Sequence, residues 1–434
     1  MIDWGASTKA DASRRSGWTI GATASFDAPL RDWKVRDDVA IAAIRAEGFE
    51  RAAPAAPAHF ARIALVDFRS YARVDVRLDG RPACFFGPNG AGKTNILEAL
   101  SLIGPGRGLR GAQLKELPRL EGPGGWAVSA EIQCGGDERH AGVGAAAEMP
   151  ERRQCRIDRQ PASGPAEFSN LVRFMWLTPA QDRLFIEGPG ERRRFLDRMT
   201  HARDPAHARA GADYELAMRQ RQRLLEQGVR DDAWLSALEA QMAEAGVAVA
   251  AGRRETVGVL AAAEVSGADD IFPSADLSLE GDLESALDSG PAADVEEEFM
   301  ARLKASRRAD AESVRATFGP HRSDLSVIHR VKGRLARLCS TGEQKALLIG
   351  LVLANARALS LSSTLSGAPT PLVLLLDEIA AHLDSARRAA LFDILEGLQF
   401  QVFMTGTDKS LFNAWRQRAQ GFAVEAGGVR EEEI

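Results

Sequence analysis

Gly87-Pro88-Asn89-Gly90-Ala91-Gly92-Lys93-Thr94 constrains this chain more than any other stretch. It matches G-x-x-x-x-G-K-[ST], the Walker A phosphate loop. Glycines let backbone N–H groups converge on a phosphate without interference from Cβ atoms. Lys93 can reach the outer phosphates as a point charge, and the Thr94 hydroxyl can ligate Mg2+. The flanks fit. Ala83-Cys84-Phe85-Phe86 reads as a buried strand before the loop, and Asn95–Leu102 reads as a helix after it, its positive end facing the phosphates.

Composition narrows the setting. A chain of 434 residues predicts two or three domains, and 45% hydrophobic with 26% charged residues is an ordinary globular balance. No apolar run approaches the ~18 residues of a membrane span, and the first residues lack a signal-peptide layout. The four cysteines, Cys84, Cys134, Cys155 and Cys339, are scattered, which disfavours zinc or a disulfide scaffold and fits a cytoplasmic protein with no membrane partner. With a net charge of −5, any nucleic-acid surface has to be a local patch.

Residues 1–58 carry small residues and scattered charge without sustained periodicity. They read as a weakly ordered extension, an accessory arm or an upstream mis-start. Arg62–Phe68 and Val74–Leu78 alternate as strands, a hairpin-like pair leading into the Walker strand. Gly104–Arg110 is a basic turn in which Arg107 and Arg110 can meet phosphate or simply face solvent. Ala127–Ile132 alternates as a half-exposed strand. Arg152, Arg153, Arg156 and Arg159 then cluster, followed by Arg192, Arg193 and Arg194 at the start of a helix; such runs are solvated faces or nucleic-acid contacts. Gln181 sits between these clusters, in the loop that ends the strand at Trp176-Leu177. From 204 to 310 the pattern is helical, with 265–295 read as a small sheet or loop.

The second half of the site lies far along the chain. Pro371–Leu376 is a buried-strand run ending in Asp377-Glu378, a Walker B pattern. Asp377 would complete the Mg2+ shell, and Glu378 would orient and deprotonate water. Ser340-Thr341-Gly342 opens the apolar helix Ala346–Ala358, making a second anion-binding end. The loop resembles the signature of ABC-type ATPases, and Ala381-His382-Leu383-Asp384 resembles their D-loop, which includes Asp384. The strand Gln401–Met404 ends at Thr405-Gly406-Thr407, where transporters of that superfamily carry a switch histidine.

Taken together, these motifs resemble the RecF family of bacterial recombination-mediator ATPases. The carriers are Leu65–Tyr71, the phosphate loop with Asn89 and Asn95, Pro105–Arg110, Arg192–Asp197, Gln220–Leu225, Gly319–Leu325 and Ser340–Lys345. They span about Arg62 to Asp408. Thr341, Glu343 and Gln222 depart from the family pattern. The resemblance implies an α/β ABC-type ATPase head (a P-loop NTPase with a mixed sheet and helices) carrying an inserted α-helical lobe. The head would be 59–203 with 311–434, and the helical lobe 204–310. The resemblance also implies ATP and Mg2+ as cofactors, slow DNA-stimulated hydrolysis, and an ATP-dependent homodimer in which Ser340 and Gly342 act in trans. Implied partners are double-stranded and single-strand-gapped DNA, and RecR with RecO in loading RecA.

Rival readings differ in testable ways. A transport ATPase subunit is disfavoured by the 247 residues between Lys93 and Ser340 and by the missing histidine. The short helical insertion disfavours a chromosome-maintenance or RecN-like rod. A DNA-binding scaffold without turnover is distinguished by the ATPase rate.

Overall fold

The computed structural model describes residues 58–434 apart from 230, 264–270, 367–370 and 399. The expectation of a weakly ordered N-terminal extension therefore lies, save for residue 58, outside the described residues. The chain runs β1 (His59–Phe68), β2 (Tyr71–Arg77), β3 (Ala83–Phe86), α1 (Lys93–Ser101), β4 (Trp126–Cys134), β5 (Asp137–Ala145), β6 (Gln154–Ile157), β7 (Gln160–Pro161) and β8 (Arg173–Leu177). Helices α2 (Pro189–Arg203), α3 (Ala206–Glu226) and α4 (Asp232–Ala262) follow, then β9 (Ala275–Glu280), α5 (Asp282–Ser289), α6 (Ala292–Ala305) and α7 (Arg307–Ser313). The return is β10 (Asp324–His329), β11 (Arg334–Leu335), α8 (Thr341–Ser366), β12 (Leu372–Leu376), α9 (Ser385–Gly397), β13 (Gln401–Gly406), β14 (Gln420–Glu425) and β15 (Gly428–Glu431).

Two six-stranded sheets build the head. One is antiparallel, in the order β2-β1-β4-β5-β6-β7. The other is β15-β14-β3-β13-β12-β8, parallel except for the edge strand β15. Parallel strands covered on both faces read as unbroken apolar runs. Accordingly β3 and β12 are buried at every position. Strand β1 alternates instead, burying Ile63, Leu65 and Phe68 on the side facing the second sheet.

Helix α1 is clamped between the sheets. Ile96, Leu97, Ala99 and Leu100 share one core with residues of both. Phe60, Phe85, Phe174, Phe403 and Phe422 join the layers through ring contacts of 5.0–6.5 Å. The buried Gln401 amide locks β1 to β13, accepting from the Phe60 N–H at 2.7 Å and donating to the Phe60 carbonyl at 3.0 Å. A second core lies on the opposite face of the parallel sheet, against α2, α8 and α9.

The arm has its own core, built from α3, α4, α5 and α6. It is not purely helical. Residues 265–295, read from the sequence as sheet or loop, contribute both a strand, β9, and a helix, α5. Strand β9 pairs antiparallel with β10, with Leu277 opposite Val327 and Leu279 opposite Leu325. The arm is thereby sewn into a small third sheet, β11-β10-β9, that packs on the head.

Arg221 of the Gln220–Leu225 motif lies inside this arm. It is 1% exposed, as is Glu239, and Asp310 is fully buried. Its guanidinium donates to Glu239 at 2.9 Å, Asp310 at 2.7 Å and the Leu303 carbonyl at 2.6 Å, tying α3 to α4, α6 and α7. Removing one partner of a buried pair strands the other charge. Arg221→Leu is expected to lower unfolding free energy by about 3 kcal/mol in urea titrations followed by circular dichroism. A change below about 1 kcal/mol would place the network at the level of a surface pair.

Candidate nucleotide site

Register brings the C-terminal ends of the parallel strands together. Leu376 pairs with Leu177 and Met404, and Gly406 pairs with Phe86. Ligands of open α/β sheets bind outside these ends. The phosphate loop, Asp377-Glu378 and Thr405 all emerge here.

Two glycines of the loop are required by their surroundings. Gly87 has φ 153°, and a Cβ there would fall 2.2 Å from the Val424 carbonyl oxygen. Gly92 has φ 111°, and a Cβ would meet the Tyr71 hydroxyl at 2.6 Å and the Ser70 hydroxyl at 2.7 Å. The β1–β2 turn thus braces the loop from outside, which accounts for Ser70-Tyr71 belonging to the motif set. Ala91 is buried and Pro88, Asn89 and Gly90 are exposed. Lys93 folds over the loop and donates to the carbonyls of Gly87 at 2.8 Å and Pro88 at 2.9 Å. Burial lowers its pKa, against the raising effect of Glu378 and Asp377. An ammonium held on neutral carbonyls has a stronger acceptor to gain in a phosphate oxygen.

Thr94 and Asp377 meet directly, hydroxyl to carboxylate, at 2.9 Å. Thr405 donates to the same Asp377 oxygen at 2.7 Å, and its own oxygen accepts the Glu378 N–H at 2.9 Å. The Asp377 N–H is held by the Leu177 carbonyl of β8 at 2.9 Å. Glu378 sits at φ 55°, a left-handed conformation costly for a residue with a side chain. The Glu378 N–H is thus fixed on Thr405, while the Asp377 carboxylate bonds both Thr94 and Thr405. Sequence reasoning missed Thr405. Its signal was a hydroxyl residue at the strand end that a histidine occupies in transporters.

These residues fit a magnesium nucleotide. Thr94 and Asp377 would hold the metal, which would supply positive charge beside the phosphates. The loop glycines leave open the space a phosphate needs. Asn95 donates to Ser70 at 2.9 Å and accepts from Arg110 at 2.8 Å. Arg110 also reaches Glu98 at 3.0 Å, and Arg69 grips Glu98 with a fork of 2.7 and 2.9 Å. Glu98 is 1% exposed, and this buried acid beneath the loop was also missed. Gln181 is buried in the turn after β8. Its side-chain oxygen accepts the Thr178 N–H at 2.9 Å, and its amide nitrogen has no partner among the described residues.

The signature residues lie apart from this assembly. Ser340 and Gly342 are exposed at the start of α8, and a Cβ on Gly342 would meet nothing within 4 Å. Ser340 and Glu343 close a capping box: the Ser340 N–H donates to Glu343 at 2.9 Å and the Glu343 N–H to the Ser340 hydroxyl at 3.4 Å. Lys332, with the Ser340 bonds, holds the Glu343 carboxyl down to about 2. Asp384 caps α9, accepting the Arg387 N–H at 2.8 Å.

The arginine clusters divide. Arg107 and Arg152 are exposed, and Arg110 is 41% exposed. Arg153 is a correction to the nucleic-acid expectation: it is turned inward onto the carbonyls of Leu102, Gly104 and Gly106, satisfying acceptors left beyond the end of α1. Arg192 is a second correction, forked onto Asp324 at 2.7 Å for both bonds. Arg193 is half-buried and donates to the Ser323 carbonyl at 2.6 Å. His321, for which the sequence left nucleotide contact or a satisfied turn open, bonds Tyr214 at 2.7 Å and the Ala316 carbonyl at 3.0 Å, a satisfied turn.

Comparison with known proteins agrees with this geometry. The RecF/RecN/SMC N terminal domain family matches residues 59–430. The DNA replication and repair protein RecF of Rhizobium etli (strain CIAT 652) is 49% identical over 371 residues, 85% of this chain and 97% of that protein. The protein of the same name from Brucella abortus (strain 2308) is 49% identical over 370 residues, 84% and 94% of the two chains. The chain belongs to the RecF family. Two solved structures share its fold. The recombination mediator protein RecF with ATPrS has a TM-score of 0.73 at 22% identity, covering 86% of this chain and 98% of that one. The same mediator with ATP gives 0.74 at 20% identity, covering 88% and 100%. Within the RecF pattern the departure at Glu343 has a local reason, since it completes the capping box.

Thr405→Val is nearly isosteric but removes both of the threonine's hydrogen bonds. Magnesium-dependent nucleotide hydrolysis is expected to fall about tenfold or more, while nucleotide affinity without magnesium, measured by fluorescence titration, changes little. Unaltered hydrolysis would show that Thr94 alone positions Asp377.

Proposed function

We propose that this chain is an ATP-dependent DNA-binding protein of recombinational repair, in which ATP closes two copies on DNA and hydrolysis releases them. One observation carries the reading: Thr94, Asp377, Thr405 and Glu378 form a connected site at the strand ends, while Ser340 and Gly342 of the same chain stand exposed elsewhere. A site with its metal and water residues built and its γ-phosphate cap on another surface is completed by a second copy. The family names support the repair setting.

In this mechanism Lys93 leaves the Gly87 and Pro88 carbonyls for the outer phosphates. Backbone N–H groups of the loop and the start of α1 hold the phosphate chain. Magnesium, when bound, neutralises phosphate charge and fixes the geometry of the leaving oxygens. Glu378, aimed by its left-handed backbone and the Thr405 bond, orients a water and takes its proton. Ser340 and the α8 N-terminus of the second copy close on the γ-phosphate. The arrangement favours the triphosphate over the diphosphate, because only the triphosphate supplies that phosphate.

The same proposal assigns 59–203 and 311–434 to the head and 204–310 to the arm, and extends to slow DNA-stimulated turnover. It places duplex and gapped DNA, and RecR acting with RecO in loading RecA, as partners. Arg107, Arg110 and Arg152 form the DNA face on their exposure, while Arg153, Arg192 and Arg193 are turned onto groups of the chain itself.

Glu378→Gln is expected to bind ATP, lose hydrolysis by about two orders of magnitude or more, and persist as a dimer in light scattering. A monomer with saturating ATP would overturn the closed pair. Charge reversal at Arg107, Arg110 and Arg152 is expected to weaken duplex binding and to flatten the log–log salt dependence by about 0.9 per lost phosphate contact. An unchanged slope would place the DNA face elsewhere.

A further inference from the structure

A cleft of about 640 Å3 opens between head and arm, away from the phosphate loop. Its size falls in the range of small-ligand sites. The head wall is cationic and aromatic, with Arg173 and Trp176 of β8 and Arg198 and His201 of α2. The arm wall sets the small residues Ala208, Gly211 and Ala212 of α3 beside Tyr214, Glu215 and Arg253.

Arg173 and Arg198 feel carboxylates only at longer range, Asp204 for the first and Glu191 and Asp197 for the second. The Arg198 guanidinium lies 5.2 Å from the Trp176 ring centre and 5.8 Å from that of Phe195. Among the described residues, no carboxylate hydrogen-bonds Arg198 or Arg173. Arg173 Nε and His201 Nδ1 are buried with no hydrogen-bond partner among the described residues. The two acids lining the cleft are hydrogen-bonded to other cations. Asp197 is gripped by Arg253 at 2.7 and 2.9 Å and by His207 at 3.0 Å, and Glu215 faces Arg219 at 3.4 Å. Burial, with the neighbouring His207 and Arg173, pushes His201 down to about 4, so its imidazole is neutral and able to donate or accept. Desolvated guanidiniums without partners are costly, and such groups concentrate where a ligand supplies the missing anion.

We propose that this cleft binds an unpaired nucleotide of a nucleic-acid strand. Arg173 and Arg198 take its phosphate, and the base lies between Trp176 and the small-residue wall of α3. Arginine with an aromatic platform is the composition of single-strand sites, where stacking is tolerant of sequence. An acidic peptide would use the cations but not the flat slot. A duplex keeps its bases stacked inside and cannot present one to a cleft of this size. The inference rests on the DNA-binding reading above and adds the form of strand that the head–arm junction accepts. A free nucleotide carries the same chemistry, and the test separates the two.

Fluorescence anisotropy would compare labelled oligo-dT with a blunt hairpin duplex on the full-length protein with ATP and magnesium. The variants are Arg198→Met, which removes a cation, and Ala212→Trp, which fills the slot while keeping every charge. Thermal melting checks the fold; should Arg198→Met melt early, Ala212→Trp, at an exposed helix position, decides. Each variant is expected to weaken oligo-dT binding about tenfold or more with hairpin affinity unmoved, and dTMP is not expected to displace oligo-dT. Equal losses for both DNAs, or none, overturn the cleft assignment and leave the DNA-binding reading standing. Ready displacement by dTMP overturns the strand in favour of a free nucleotide. A wild-type protein that binds neither DNA overturns both readings.

Discussion

The Asp377 carboxylate is the point on which the head depends. One of its oxygens accepts from Thr94, at the start of the helix after the phosphate loop, and from Thr405, at the end of β13. Its own N–H is held by β8. Three chain segments that are distant in sequence are thus fixed to one residue. A buried carboxylate is tolerated only when its lone pairs are satisfied. The folded chain meets that demand with two hydroxyls that can yield to a cation. The interactions that hold Asp377 in place are therefore ones that a cation could take over.

The phosphate loop likewise owes its shape to remote parts of the chain. Gly87 is pressed by Val424 of β14, and Gly92 by the β1–β2 turn. Helix α1 cannot shift, because its apolar face is packed between two sheets and its one buried acid, Glu98, is held by Arg69 and Arg110. A loop of eight residues has little means of holding converging N–H groups by itself. Here both sheets impose that geometry, and the nucleotide meets a preorganised cradle rather than ordering it.

What was legible in the sequence follows from range. The loop, the Walker B strand, the alternation of β1 and the capping serine of α8 are local patterns, and the structure reproduces them. The misreadings concern residues whose partners are distant. Arg192 looks like one of a basic run, yet its partner Asp324 lies 132 residues on. Arg153 belongs by sequence to a charged turn, but in three dimensions it supplies donors for carbonyls beyond α1. Thr405 drew notice only as a missing histidine, because a lone threonine at a strand end carries no periodic signal. Strand β9 was ambiguous for the same reason: its pairing with β10 is what makes it a strand.

Strand β8 links the site to the rest of the molecule. Its Leu177 carbonyl holds Asp377, and the turn that follows presents Gln181. The next residue, Asp182, is bonded at 2.9 Å to Lys345 on the signature helix α8. Helix α2 then fixes Asp324 through Arg192 and, through Asp197, grips Arg253 of the arm. Contacts therefore run without a break from the Asp377 carboxylate to both the start of α8 and the arm. Such a chain transmits a change only if one member has two arrangements available. Gln181 has the unused capacity: its oxygen is occupied by the Thr178 N–H while its buried amide nitrogen is unpartnered. A phosphate oxygen within its reach would offer the acceptor it lacks. Drawing Gln181 out of its turn would pull on Asp182, and so on the helix that carries Ser340.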